Sequence, residues 1–216
     1  MQGSDEWKQT KRRTTFVSGT TIQSICNEHP FRNDDDVFNE LIGARPHFVG
    51  NAFSKLGQEM ESVIVRKYEI ITGNQVDTNL PIHYMPGWPN VGVSPDGLVR
   101  EPVNTTGKLS TGLSTGNPLP IEIKYAPQRK ITKGKVPEYY SGQLQLTLAI
   151  FDVPMMHFVQ MGIDEEVDII PIYKVDGYFL ARAARIQNFI DRITAFRTAN
   201  PDWEQNYLRW EEEMPE

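Results

Sequence analysis

The chain has 216 residues, 39% of them hydrophobic and 23% charged, and a formal net charge of −6. That length suits one α/β domain with a sizeable core, the acidic balance argues against a protein that coats nucleic acid, and the single cysteine, Cys26, excludes an intramolecular disulfide and a Cys-rich zinc site. No apolar run approaches membrane-spanning length and Met1 to Lys8 lacks the apolar centre of a signal peptide, so the expectation is a reducing, intracellular protein with no membrane partner.

From the N-terminus, Trp7 to Arg13 is polar and basic, and Thr14 to Thr20 reads as a short extended stretch. Short helices are expected from about Thr21 to Glu28 and from Asp34 to Leu41, the latter with acid in its first turn and Gly43 after its end. The longest helix is expected over Ala52 to Thr72, with Asn51 as cap and Gly73 as stop. Its apolar residues Phe53, Leu56, Met60, Ile64, Tyr68 and Ile71 recur at three- and four-residue steps. Short strands follow at His83-Tyr84, Val91 to Val93 and Leu98-Val99. Residues 103–120, rich in Thr, Ser and Gly, read as a flexible loop inserted between two strands of one sheet.

Ile121 to Tyr125 reads as the core strand, followed by a basic loop and a helix from Pro137 to Phe151 with Leu144, Leu148 and Phe151 on its buried stripe. Met155 to Met161 and Val167 to Val175 read as strands, the second at an edge because of Pro171. An amphipathic helix is expected over Gly177 to Arg197. The acidic tail, 202–216, either packs as a last helix or meets another subunit.

Chemistry concentrates at Ser94-Pro95-Asp96-Gly97 and Ile121-Glu122-Ile123-Lys124. Taken alone, the first is a plain turn and the second a solvated strand face with an ion pair. Together they place an aspartate beside a glutamate and lysine that share one face of a strand. Asp96, Glu122 and the Ile123 carbonyl can offer oxygen ligands to Mg²⁺, with Glu61 of the long helix completing the shell or holding a water. Mn²⁺ is expected to substitute. Lys124 could orient or deprotonate the nucleophile. This outlines a phosphodiesterase site. Lys130, Lys133 and Lys135, in the loop after the core strand, are candidates for phosphate contact or for mere solvation. His29, His47, His83 and His157 show no ligand spacing.

The ordered set Glu61, Ser94-Pro95-Asp96-Gly97, Ile121-Glu122-Ile123-Lys124 and Gln143-Leu144-Gln145 resembles the PD-(D/E)XK nuclease superfamily, and within it the phage lambda exonuclease-type alkaline exonucleases of viral recombination. Gly57 to Glu61 followed by Tyr68 to Gly73, Trp7 and Arg13 followed by Val17-Ser18-Gly19-Thr20, and the strand and helix from Val167 onward extend the likeness over about Trp7 to Ile193. The resemblance implies a restriction-endonuclease-like α/β core, a mixed central β-sheet flanked by helices, in a single domain over 1–216. It implies an Mg²⁺-dependent 5′→3′ exonuclease that digests linear double-stranded DNA from its ends, a homotrimeric ring, a single-strand annealing protein as partner, and a phage, viral or prophage origin.

The same resemblance makes Asp96 and Glu122 metal ligands, Lys124 the catalytic lysine, Glu61 the helical glutamate and Gln143 the active-site glutamine, with Gln145 the alternative. The terminal 5′-phosphate would fall to Arg13 and Thr20, the latter standing where the family usually has serine; Arg12 and Arg45 are the alternative arginines. An endonuclease of restriction or repair type, or a catalytically idle DNA-binding subunit, are the competing readings of the same core.

Overall fold

A seven-residue strand, β5 (Leu119–Tyr125), lies at the centre of the computed structural model, which describes residues 4–46, 52–100 and 118–213. Its neighbours are β4 (Gly97–Val99), antiparallel to it, and β6 (Met155–Met161), parallel to it; β7 (Val167–Tyr173) closes the sheet antiparallel to β6, giving the order β4-β5-β6-β7. Parallel neighbours need a crossover, and here it is the helix α5 (Ser141–Phe151), entered through one 3₁₀ turn at Glu138–Tyr140. β7, with Pro171, is an edge strand as its proline requires. Most of the inserted stretch expected over 103–120, together with Asn51 and His47, lies outside the described residues; Leu119 and Pro120 belong to β5.

The remaining strands form a second, three-stranded mixed sheet rather than extending the first. β1 (Val17–Ser18) runs parallel to β3 (Trp88–Val93), which pairs antiparallel with β2 (His83–Met85). The chain leaves β3 at Ser94-Pro95-Asp96 and enters β4, passing from one sheet to the other at the turn that carries Asp96.

Side-chain alternation divides the core. Ile121 and Ile123 of β5, with Met155, Val159 and Met161 of β6, pack against Ile64 and Tyr68 of the 21-residue helix α4 (Ala52–Thr72). The opposite face of β6, Met156 and Phe158, packs with Leu144 and Leu148 of α5. All seven residues of β6 are buried, as expected for a strand covered on both faces. α5 is buried on two sides, because Leu146 joins a separate cluster with Val17, Ile22 of the short helix α2 (Ile22–Ile25), and Ile186 and Phe189 of α6 (Ala183–Ala199). In α4 Ile64 and Tyr68 are inaccessible, whereas Leu56 and Ile71 are 37% and 54% exposed.

The basic N-terminal stretch is a helix, α1 (Asp5–Thr14), and it takes in Thr14, expected to be extended. No residue in it is fully buried; besides its local cap it is held by Arg12 and Arg13 on Glu204 and by Thr14 Oγ1, 2.7 Å from the Tyr84 hydroxyl. Ser4 Oγ accepts the Trp7 N–H, Asp5 and Glu6 occupy the first turn and Lys11, Arg12 and Arg13 the last, so the charges complement the helix dipole. Helix α3 (Asp34–Leu41) carries a full capping box between Asn33 and Asp36. The acidic tail packs as α7 (Trp203–Glu213), where Trp210 Nε1 donates to the Gly43 carbonyl at 3.0 Å.

Phe158 is fully buried and its ring lies 5.5 Å from that of Tyr140. Phe158→Ala is therefore expected to lower the unfolding free energy by about 3–5 kcal/mol, read from urea denaturation. Ile163→Ala, at a side chain 78% exposed, should change it by less than about 0.5 kcal/mol.

Candidate active site

Strand β5 sends Ile121 and Ile123 to the α4 side and Glu122 and Lys124 to the other, where the N-terminal turn of α5 delivers Gln143. Asp96 reaches the same strand by a different device. Its Oδ2 accepts the Ile123 backbone N–H at 2.7 Å, just past the last β4–β5 pair, Gly97 with Ile121. The aspartate side chain thus supplies the acceptor that β4 no longer offers, and the hydrogen bond fixes the carboxylate beside Glu122.

Gly97 serves packing rather than turn geometry. Its φ is not positive, and a Cβ there would meet Val76 Cγ1 at 2.5 Å and Ile121 side-chain atoms at 2.8 Å. Gly19 has a similar role, since a Cβ would meet Gln143 Cγ at 2.8 Å.

Glu122 is only 1% exposed. Its Oε1 accepts hydrogen bonds from both Lys124 Nζ and Gln143 Nε2, while its Oε2 is buried with no partner among the described residues. Lys124 Nζ also lies 3.8 Å from Asp96 Oδ2 and 5.6 Å from the centre of the Tyr140 ring. Burial, reinforced by Asp96, pushes the Glu122 carboxyl up against the opposing pull of Lys124 and Gln143. Burial alone would lower Lys124, but Glu122 and Asp96 reverse it and hold the ammonium above its ordinary value. Glu61, on α4, is pushed up to about 7 by burial and then by Asp96, with Lys124 opposing. Glu61 therefore feels the same charges as the β5 pair.

Asp96, Glu122, Lys124 and Gln143 share one cavity of about 170 Å³, and Glu61 is not among the residues that line it. Asp96, Glu122, Lys124 and Gln143 form one part of its wall; Trp7 and Lys11 of α1, Thr15, Ser18 and Thr20 form another. Among the described residues no three His, Cys, Asp or Glu side chains converge closely enough to form a cation site as they stand. The donor chemistry nevertheless fits a hard divalent cation: a buried carboxylate oxygen without a partner, a second carboxylate beside it, and an ammonium standing against both.

The other candidates lie elsewhere. Gln145 Nε2 donates to the Tyr173 carbonyl and its Oε1 accepts the Val175 N–H, so it pins the end of β7 and does not reach Glu122. Arg13 is exposed and bonds both carboxylate oxygens of Glu204, at 3.0 and 3.1 Å; Arg12 bonds the same glutamate. Arg45 is held by Asp36 and Glu40. Lys130, Lys133 and Lys135 are exposed on a loop that Asp168 and Gln160 anchor through the Gly134 N–H and the Lys135 carbonyl. His157 is a core residue, its Nδ1 bonded to the Tyr68 hydroxyl at 2.9 Å. Lys11, Thr15 and Ser94 were missed as cavity residues. The Ser4 cap and the acidic first turn were the signal for α1, and a helix there puts Trp7 and Lys11, four apart, on one face.

The sequence profile of the YqaJ-like viral recombinase domain matches residues 6–153. The chain belongs to that family. No curated protein sequence matches the domain, but solved structures do. An alkaline exonuclease (LHK-Exo) from Laribacter hongkongensis superposes with a TM-score of 0.68 at 22% identity, over 89% of this chain and 93% of that one. The structure of LHK-Exo in complex with dAMP gives 0.67 at 20% identity over 95% and 100%. A phage-related exonuclease from Haemophilus somnus 129PT gives 0.52 at 13% identity over 96% and 100%. The domain shares the fold of these nucleases, a mixed α/β core flanked by helices.

Because Glu61 gains its proton more readily folded than unfolded, the metal-free domain should lose stability as pH rises from about 4.5 through about 7. Thermal melts in EDTA between pH 5 and 8 should show a shallower decline for Glu61→Gln than for the parent protein. Equal slopes would place Glu61 outside the field of Asp96.

Proposed function

We propose that the domain is an Mg²⁺-dependent exonuclease that digests linear double-stranded DNA from its ends in the 5′→3′ direction, leaving single strands for recombination by annealing. The observation that carries this reading is Glu122: a carboxylate 1% exposed, with one oxygen shared by Lys124 and Gln143 and the other without a partner among the described residues, beside Asp96 in a cavity. A fold has little use for such a group, since burying an unsatisfied carboxylate oxygen costs stability. Family membership and the shared fold of alkaline exonucleases support the choice of DNA as substrate.

Asp96, Glu122 and the Ile123 carbonyl would hold the cation, with Glu61 completing its shell; Mn²⁺ would substitute. When bound, Mg²⁺ would supply neutralisation of the phosphate and a more acidic water. Gln143 keeps Glu122 oriented by donating to Oε1, and the Ile123 N–H does the same for Asp96. Lys124 keeps its proton while two carboxylates face it; once their charge is neutralised, burial alone acts on Nζ and lowers its pKa toward that of a usable base. Water attacking phosphorus would give one proton to Lys124 Nζ while the P–O bond to the leaving sugar oxygen breaks and that oxygen takes up a proton. We further infer a homotrimer whose basic channel reconciles DNA binding with the net charge of −6, acting inside cells on phage or prophage DNA with an annealing protein.

Digestion of 5′-phosphorylated linear duplex, 5′-hydroxyl duplex and covalently closed circles in Mg²⁺ tests this. Loss of the 5′-phosphorylated linear duplex alone, with single strand left behind, is expected. Asp96→Ala and Glu122→Gln should each slow digestion by roughly 10²–10³-fold or more while retaining duplex binding. Cleavage of the circle would establish an endonuclease instead, and absence of any cleavage would establish a binding module.

A further inference from the structure

The short helix α2 buries a glutamine among apolar neighbours. Ile22 and Ile25 join the core cluster that includes Leu146 of α5, while Gln23, between them, is 6% exposed. A buried amide has to find partners, and Gln23 finds them at the entrance to α5. Its Nε2 donates to the Glu138 carbonyl at 3.3 Å and to Ser141 Oγ at 3.1 Å. A carbonyl can only accept, so the nitrogen end of the amide faces α5.

Those two acceptors bracket the join between the 3₁₀ turn Glu138–Tyr140 and α5, and the join has no anchor of its own. Neither Pro137, ahead of the turn, nor Tyr140, ahead of α5, makes a side-chain capping hydrogen bond among the described residues. Where the helix begins is therefore set from outside. The approach is close: a Cβ on Gly142 would lie 2.3 Å from Gln23 Cγ and 3.1 Å from Ile22 Cγ2. The φ of Gly142 is not positive, so its glycine serves the approach of α2 rather than backbone conformation.

The next residue, Gln143, extends past Gly19 to donate to Glu122 Oε1. The segment from β1 through α2 thus meets the first turn of α5 twice: Gly19 leaves room for the Gln143 side chain, and Gln23 holds the backbone that bears it. Resting on the exonuclease reading, we propose that Gln23 is a positioning residue for the reaction, fixing the start of α5 so that Gln143 stays on Glu122. Gln23 does not line the cavity that holds Asp96, Glu122 and Lys124, so it acts only through Gln143. Small slippage of the helix is enough to matter, because a misplacement of about 1 Å at a reacting centre can cost roughly 10²-fold in rate.

The test compares the parent protein with Gln23→Met, Gln143→Met and the double variant. Methionine keeps the length and bulk of the side chain and removes its donors. In Mg²⁺-dependent digestion of 5′-phosphorylated linear duplex, Gln23→Met is expected to lower kcat by roughly tenfold, with KM changed by less than about twofold. The double variant should be no slower than Gln143→Met, since the two substitutions break one chain of contacts. A second readout needs no activity. The side-chain amide signal of Gln143 in the metal-free protein, identified in a ¹⁵N–¹H spectrum by its absence from Gln143→Met, should move toward that of an exposed glutamine in Gln23→Met.

If Gln23→Met fails to fold in thermal melts, Ser141→Ala takes its place. It deletes one of the two acceptors at a helical position that alanine favours, and should lower kcat by roughly threefold. A parent-like kcat in folded Gln23→Met, losses that multiply in the double variant, or a fall in kcat/KM carried by KM alone would overturn the proposal. So would an unmoved Gln143 amide signal. A parent protein that leaves linear duplex intact would instead strike the exonuclease reading, and the amide signal would then decide the role of Gln23 by itself.

Discussion

A carboxylate buried on the middle strand of a sheet is a constraint that its surroundings must meet. Glu122 occupies such a position, with β4 on one side of its strand and β6 on the other. Stripping a carboxylate of water is costly unless charge and hydrogen bonds replace the solvent. Lys124 supplies the charge from two residues along the same strand face, and Gln143 supplies a donor from the first turn of α5. The crossover helix is therefore tied to the site at its start, and its remaining turns are buried between two hydrophobic clusters. Gly19 has to be a glycine for the Gln143 side chain to pass, which draws β1 and the segment after it into the same constraint.

Regular periodicity made much of this legible beforehand. The bounds of α3, α4 and β6 can be read directly from capping residues, helical spacing and apolar runs, and the edge position of β7 from Pro171. The grouping of Asp96 with Glu122 and Lys124 was visible because strand alternation puts the last two on one face of the strand that follows the turn, and a glutamine-bearing helix comes next. Other features depended on information that spacing does not carry. Helix α1 has no buried residue, so no apolar stripe announced it; its cap and charges did the work. Whether Gly97 met a strained φ or a close neighbour could be decided only with Val76 and Ile121 in place. The choice between Gln143 and Gln145 rested on the direction each side chain takes from α5, and the placement of Arg13 on a contact with a residue far along the chain.

The net acidity of the chain takes on a different meaning once partners are assigned. Among the described residues, many acidic side chains are already matched: Asp36 and Glu40 with Arg45, Asp34 and Asp35 with Arg192, Glu28 with Arg182, and Glu204 with Arg12 and Arg13. These are mostly surface pairs of small individual worth, but they neutralise arginines as well as acids. Cations left without a carboxylate partner include Lys11 in the cavity wall and the exposed Lys130, Lys133 and Lys135 on an anchored loop. The charge that remains available is therefore more localised than the composition suggests.

The contact between Arg12 and Glu204 joins residues 192 positions apart. It ties α1, which forms part of the cavity wall, to α7, where Tyr207 backs onto Gly43 so closely that a Cβ on that glycine would lie 2.4 Å from the Tyr207 nitrogen. Closing so long a stretch of chain is entropically costly, so the seat of α1 depends on the C-terminal helix being in place. A C-terminally shortened chain would keep Asp96, Glu122 and Lys124 while losing one of the ties that hold the facing wall of their cavity.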